Sequence, residues 1–156
     1  MEQDKGITMG TPVLYILMRN DLASLNSGKA MAQASHASNA FVAHMKNFAQ
    51  EFNENPVHIE IEMESLNGFA EWENATTQAF GTVLVLAAKM AEIKSTVDVF
   101  KAMGYTADVI HDPTYPIVDG EVAHYIPLDT CAYVFIPSKE DDFMAAAVLK
   151  RFPLHP

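Results

Sequence analysis

Lys29, Gln33 and His36 stand at i, i+4 and i+7 of the stretch SGKAMAQASHASNAF. At ~100° per residue they share one edge of an α-helix, about a right angle from its apolar stripe. A cation, an amide and an imidazole at a helix start, where the dipole favours negative charge, suit an anion or a developing oxyanion. Asp112 supplies the complementary group, because it ends the strand expected over Ala107–His111. In open α/β sheets ligands bind beyond the carboxyl ends of strands, so Asp112 and the helix start at Lys29 belong to one rim. An ammonium and a carboxylate across a cleft can stabilise an oxyanion and orient a water, respectively. The same helix line also fits a plain solvated edge, with His36 bonded to a neighbour. The strand-end position of Asp112 favours the chemical reading.

Rival chemistries fit less well. A nucleotide-binding P-loop needs glycine where Ala23 stands and a hydroxyl where Ala30 follows Lys29, so neither the phosphate wrap nor a magnesium ligand is present. His36 and His44 are two helical turns apart and cannot share an ion unaided. His111, Asp112 and His124 can converge, but their spacing matches no named metal site. We therefore expect neither metal nor cofactor. The single cysteine, Cys131, excludes an internal disulfide, and its apolar surroundings read as a small buried hydrophobe.

The elements that must carry these residues follow from periodicity. Ala30, Ala34, Ala37, Phe41, Met45, Phe48 and Phe52 recur at steps of three and four, which predicts a helix over Ser27–Phe52 with Asn26 or Ser27 as its cap. Thr11–Met18 and Thr82–Ala88 read as buried strands, the first with the continuous apolar run Val13–Met18 expected of a strand covered on both faces. Met90–Met103 reads as a helix with Ile93, Val97 and Phe100 inward, closed by Gly104. Ala107–His111 then completes a parallel strand–helix–strand crossover. Val57, Ile59, Ile61 and Met63 alternate with polar residues, which predicts a half-exposed strand with an acidic face, and a short helix with Phe69 and Trp72 on one side follows. His111–Pro127, punctuated by Pro113, Pro116, Gly120 and Pro127, reads as a long functional loop, and Thr130–Ile136 as the last strand. Ser138 and Asp141 form a capping box for a final helix that buries Phe143, Ala147 and Val148.

Length and composition bound the class. A chain of 156 residues with 49% apolar content is one domain with a real core. The start carries no signal or transit pattern and no apolar run reaches membrane length, so a cytoplasmic protein is expected, with no membrane partner. The net charge of −10 opposes general attraction to nucleic acid, because phosphate binding depends on Lys and Arg.

With these residues in view, SGKAMAQASHAS resembles the helix signature of the type II peptidyl-tRNA hydrolases of archaea and eukaryotes, carried by Gly28, Lys29, Ala32, Gln33, Ser35, His36 and Ala37. YILMRNDL is similar to that family's first strand, FAEWENATTQAFGTVLVLAA to its helix–tryptophan–strand segment, VIHDPT to its aspartate loop and TCAYVFIP to its last strand. The resemblance covers most of residues 12–150. It implies a single-domain α/β fold, with a four-stranded, mostly parallel mixed sheet flanked by helices on both faces, and often a homodimer. It implies metal-independent hydrolysis of the ester between a peptide and the 3′ end of tRNA. Lys29, Asp112 and Thr130 would be catalytic, with the register of Thr130 against Cys131 open. Arg19, Gln33, His36 and Thr114 would contact substrate. The chain differs from the family in its loop, Asp112-Pro113-Thr114-Tyr115-Pro116, which lacks the usual glycine and arginine. Residues 53–67 look like an insertion and 1–10 like a tail. Two rival functions share the fold: a non-catalytic binding protein, and a hydrolase of a smaller acyl ester or amide.

Overall fold

A computed structural model describes residues 11–55, 60–137 and 143–156. The elements run β1 (Val13–Arg19), α1 (Ser27–Glu54), α2 (Glu60–Glu73), β2 (Thr82–Ala88), α3 (Met90–Ala102), β3 (Thr106–Asp119), β4 (Val122–Ile136) and α4 (Phe143–Lys150). The four strands form one sheet in the order β2-β1-β4-β3. No helix among the described residues is long and apolar enough to cross a membrane.

β1 explains its own sequence. Leu14, Ile16 and Met18 face α1 and α2, while Tyr15 and Leu17 face α3 and α4, so both sides must be apolar. On the first side Phe41 of α1 meets Phe69 and Trp72 of α2 edge-on at 5.6 Å, and Phe135 of β4 at 4.7 Å. On the second, Ile93, Val97 and Phe100 of α3 are buried as their spacing predicts. The chain after α4 runs along the outer edge of β2, where Ala87 N donates to Pro153 O and His155 N to Val85 O.

Three expectations require correction. The sheet is mixed, but β1–β2 is its one parallel pair, and β4 is antiparallel to both β1 and β3. The reason lies in His111–Pro127, which is not a loop. β3 and β4 continue through it as a hairpin, closed between Asp119 and Val122, and a short hairpin is necessarily antiparallel. Gly120 has φ of +61°, the sign that a tight hairpin requires at its first turn position. Pro113 and Pro116 resemble loop punctuation in sequence, but they are tolerated in β3 because it is an edge strand.

The second correction concerns the strand expected over residues 57–63. Residues 57–59 lie outside those described, but from Glu60 the chain is helical. Ser65, Phe69 and Trp72 are buried at i, i+4 and i+7, and glutamates favour helix over strand. Third, α4 buries Ala145 and Leu149, while Ala147 and Val148 are exposed. In FMAAAVLK almost every position is apolar, so the pattern selects no face. The Ser138–Asp141 capping box, the burial of Phe143 and the tail over 1–10 lie outside the described residues.

The contact between α2 and the end of β4 is tight at one point. A Cβ on Gly68 would stand 2.5 Å from Pro137 Cβ and 2.9 Å from its Cα. Neither atom can rotate away. Gly68→Ala gains up to ~1 kcal/mol of helix propensity, but overpacking of this kind costs about 1–3 kcal/mol. A net loss of about 1 kcal/mol is expected in urea unfolding, and a stabilised variant would contradict this packing.

Candidate active site

The site forms where β1 and β3 leave the core and α1 begins. Asn26 caps α1 by accepting from Lys29 N at 3.0 Å, which fixes Lys29 in the first turn. Lys29 Nζ donates to Pro116 O at 2.6 Å and lies 5.0 Å from the centroid of the Tyr115 ring. One turn on, Gln33 points between β3 and β4 and is only 3% exposed. Its Nε2 donates to Asp112 Oδ2 at 2.7 Å, and its Oε1 accepts from Thr130 Oγ1 at 2.6 Å. A hydroxyl donor on one side and a carboxylate acceptor on the other fix the amide in this orientation.

Two irregularities in the β3–β4 pairing make this meeting possible. Ile110 pairs with Cys131 but His111 with Asp129, so Thr130 is an extra residue on β4. Asp112 pairs with Leu128 and Tyr115 with Ile126, so β3 then carries one residue more than β4. Bulges of this kind re-aim side chains. Thr130 and Cys131 consequently both face α1: the Thr130 hydroxyl donates to the Gln33 side chain, and Cys131 Sγ lies 3.5 Å from Gln33 O. Burial pushes the Cys131 thiol up to about 12, so it is an inert neutral group.

Asp112 is 8% exposed. Burial alone would raise its pKa, yet bonds from Gln33 and from the Thr114 amide and hydroxyl, with the charge of His36, hold it below the usual carboxylate value. Thr114 N donates to Oδ1 at 2.9 Å and Thr114 Oγ1 at 3.3 Å, a local turn closed by the carboxylate itself. Three of its roughly four acceptor positions are thereby used, leaving one for a water. A carboxylate so stabilised is a weak base and a good orienting acceptor.

The expected residues are therefore not equivalent. Gln33, Asp112, Thr114 and Thr130 form one bonded chain, with Gln33 and Thr130 inside the protein rather than at its surface. His36 is exposed beside it. Arg19 lies apart, its Nε donating to Asp21 Oδ1 at 2.8 Å and its Nη1 to Asp129 O at 2.9 Å. His111 turns to Asp129, whose other oxygen pairs with Lys94 at 2.8 Å. Tyr115, fully buried beside Lys29, was not anticipated. A tyrosine in a stretch read as loop carries no periodic signal; only the hairpin register reveals its direction.

Compared with known protein families, residues 12–134 match the model described as peptidyl-tRNA hydrolase PTH2. That span includes every residue of the network above. No curated protein matches the chain.

The Asp112 carboxylate makes a prediction about pH. Its folded pKa lies below the ordinary 3.8, so it contributes stability that is present above that value and lost as pH falls through the folded one. Asp112→Asn is expected to cost about 1–3 kcal/mol at neutral pH, because Gln33 loses its charged acceptor. The difference from wild type should shrink as urea unfolding is repeated from about pH 5 to about pH 2. A difference that stays constant over that range would show that the carboxylate is not held as described.

Proposed function

The chain belongs to the peptidyl-tRNA hydrolase PTH2 family, and from that premise we propose that it hydrolyses the ester joining a peptide to the 3′ end of tRNA. The observation that carries the reading is the buried Thr130–Gln33–Asp112 chain, ending in a carboxylate with one acceptor position left, next to a lysine held in place at Pro116. Asp112 orients a water toward the ester carbonyl carbon. As the water oxygen bonds to the carbonyl carbon, the water gives up one proton through Asp112 to solvent. The C=O π pair moves onto the carbonyl oxygen, and Lys29 stabilises the charge there with the N–H donors not given to Pro116. The tetrahedral intermediate then expels the ribose 3′ oxygen, which takes up a proton from the solvent side. The products are a peptide carboxylate and tRNA with a free 3′ hydroxyl. Gln33 and Thr130 act through Asp112 as positioning residues, and Thr114 completes the carboxylate's shell. His36 and Arg19 offer cationic or donor groups to the RNA end, and the cytoplasm is the compartment that such a substrate implies.

The net charge of −10 favours a second reading, a binding protein on the same fold without turnover. Salt dependence and a minimal substrate separate the two. Each phosphate neutralised contributes ~0.7–0.9 to the slope of log affinity against log salt. With Arg19 partly engaged by Asp21, about two or three contacts are expected, giving weak and mildly salt-sensitive tRNA binding. Turnover should persist on a peptidylated 3′ fragment. Binding without hydrolysis of either full substrate or fragment would leave the binding protein as the answer.

Lys29→Ala tests the oxyanion role. Removing one such donor typically lowers kcat by roughly 10²–10³, and a partly exposed residue in a first helical turn contributes little to stability. A folded variant with wild-type kcat would remove Lys29 from the mechanism.

A further inference from the structure

Tyr115 takes no part in the chemistry above, yet it is wholly buried against the residue that does. Its ring lies beneath the Lys29 ammonium, 5.0 Å from centroid to Nζ, and the next carbonyl, Pro116 O, accepts from the same Nζ at 2.6 Å. Its phenol oxygen lies 3.2 Å from Ser24 Oγ in the segment between β1 and α1. We propose that Tyr115 is a positioning residue: its ring face and the following carbonyl fix where the Lys29 ammonium stands, and burial holds the ring, with Ser24 adding a secondary contact. The inference rests on the hydrolase reading for its catalytic consequence, but not for its geometry.

The physical case has three parts. Lysine is a compact charge on a flexible four-carbon stem, so a lone lysine at a helix start visits many rotamers. A ring face within ~6 Å attracts an ammonium through its quadrupole and does so without consuming an N–H donor. Pro116 O takes one donor, so the others remain for the substrate oxygen. Electrostatic stabilisation of a transition state depends on donors already aimed before charge develops, and this seat supplies that aim. The Ser24 contact joins residues 91 apart in sequence, tying the hairpin to the segment that leads into α1. An aliphatic side chain of similar size would fill the space but exert no such pull.

Steady-state kinetics on a peptidyl-tRNA with Tyr115→Leu, Tyr115→Phe and Ser24→Ala tests the idea, with Tyr115→Leu repeated in a Lys29→Ala background. Tyr115→Leu is expected to lower kcat about tenfold with KM within about twofold, the loss of one aimed but not deleted donor. Tyr115→Phe, which keeps the ring, and Ser24→Ala should stay within about threefold of wild type. In the Lys29→Ala background Tyr115→Leu should change kcat no further, because the two residues act as one unit. Equal fold-losses in both backgrounds would mean a merely structural role and overturn the proposal.

A second readout needs no activity. The Lys29 Hε protons should be shifted upfield by the ring current in folded wild type and in Tyr115→Phe, and not in Tyr115→Leu. An unshifted Lys29 in folded wild type overturns the proposal even if Tyr115→Leu fails to fold. If wild type hydrolyses nothing but the ring-current shift is present, the hydrolase reading fails and the placement of Lys29 by Tyr115 stands.

Discussion

The Gln33 amide is the interaction on which the rest of the site depends. It joins α1 to β4 through Thr130 and to β3 through Asp112, all within the protein. An amide is suited to this place because it offers a donor at one end and an acceptor at the other, and its two partners are a pure acceptor and a hydroxyl. Glutamate there would set two carboxylates against each other, and leucine would take from the buried Thr130 hydroxyl its acceptor and from Asp112 Oδ2 its donor. The helix is thereby keyed to the two strands in one rotation, and Lys29, one turn earlier, is carried to its position by the same key.

Charge is arranged economically around this key. The chain has twice as many acidic as basic residues, 20 against 10, yet the carboxylates near the rim are occupied. Asp112 is bonded by Gln33 and Thr114, Asp129 by Lys94 and His111, and Asp21 by Arg19 and the amide of Met90 at the start of α3. Each is held in its ionised form by partners, so none is available as a strong base. What remains directed outward is the donor capacity of Lys29 and the exposed His36 ring. A rim of this kind can receive one small anionic centre without offering a broad cationic surface.

Much of this was legible in the sequence because burial imposes a period. α1 and α3 show their inward residues at helical spacing, and β1 shows a continuous run because both its faces are covered. The failures share a cause: local composition that does not report its surroundings. Glutamates alternating with Ile61 and Met63 imitate a strand, although a helix packs the later residues Ser65, Phe69 and Trp72. Prolines in β3 imitate a loop because the sequence does not show that β3 lies at an edge. α4 is apolar all round, so it hides its phase. Within the site, residue type and position point to Lys29 at a helix start and Asp112 at an expected strand end. Neither marks Tyr115 or Ser24, whose meeting is set by hairpin register across 91 positions.

The paired bulges have a consequence for how such a hairpin can change over evolutionary time. β4 gains a residue at Thr130 and β3 gains one between Asp112 and Tyr115, so the offsets cancel and the outer arm returns to the register of the inner sheet. A deletion in one strand alone would slide the whole arm by one position and turn Tyr115 to the opposite face. The two strands can therefore lengthen or shorten at the base only together, whereas the tip around Gly120 is free to vary. Among homologous chains, gaps at these two places should occur as matched pairs, and an alignment that opens only one of them will have mispaired the strands.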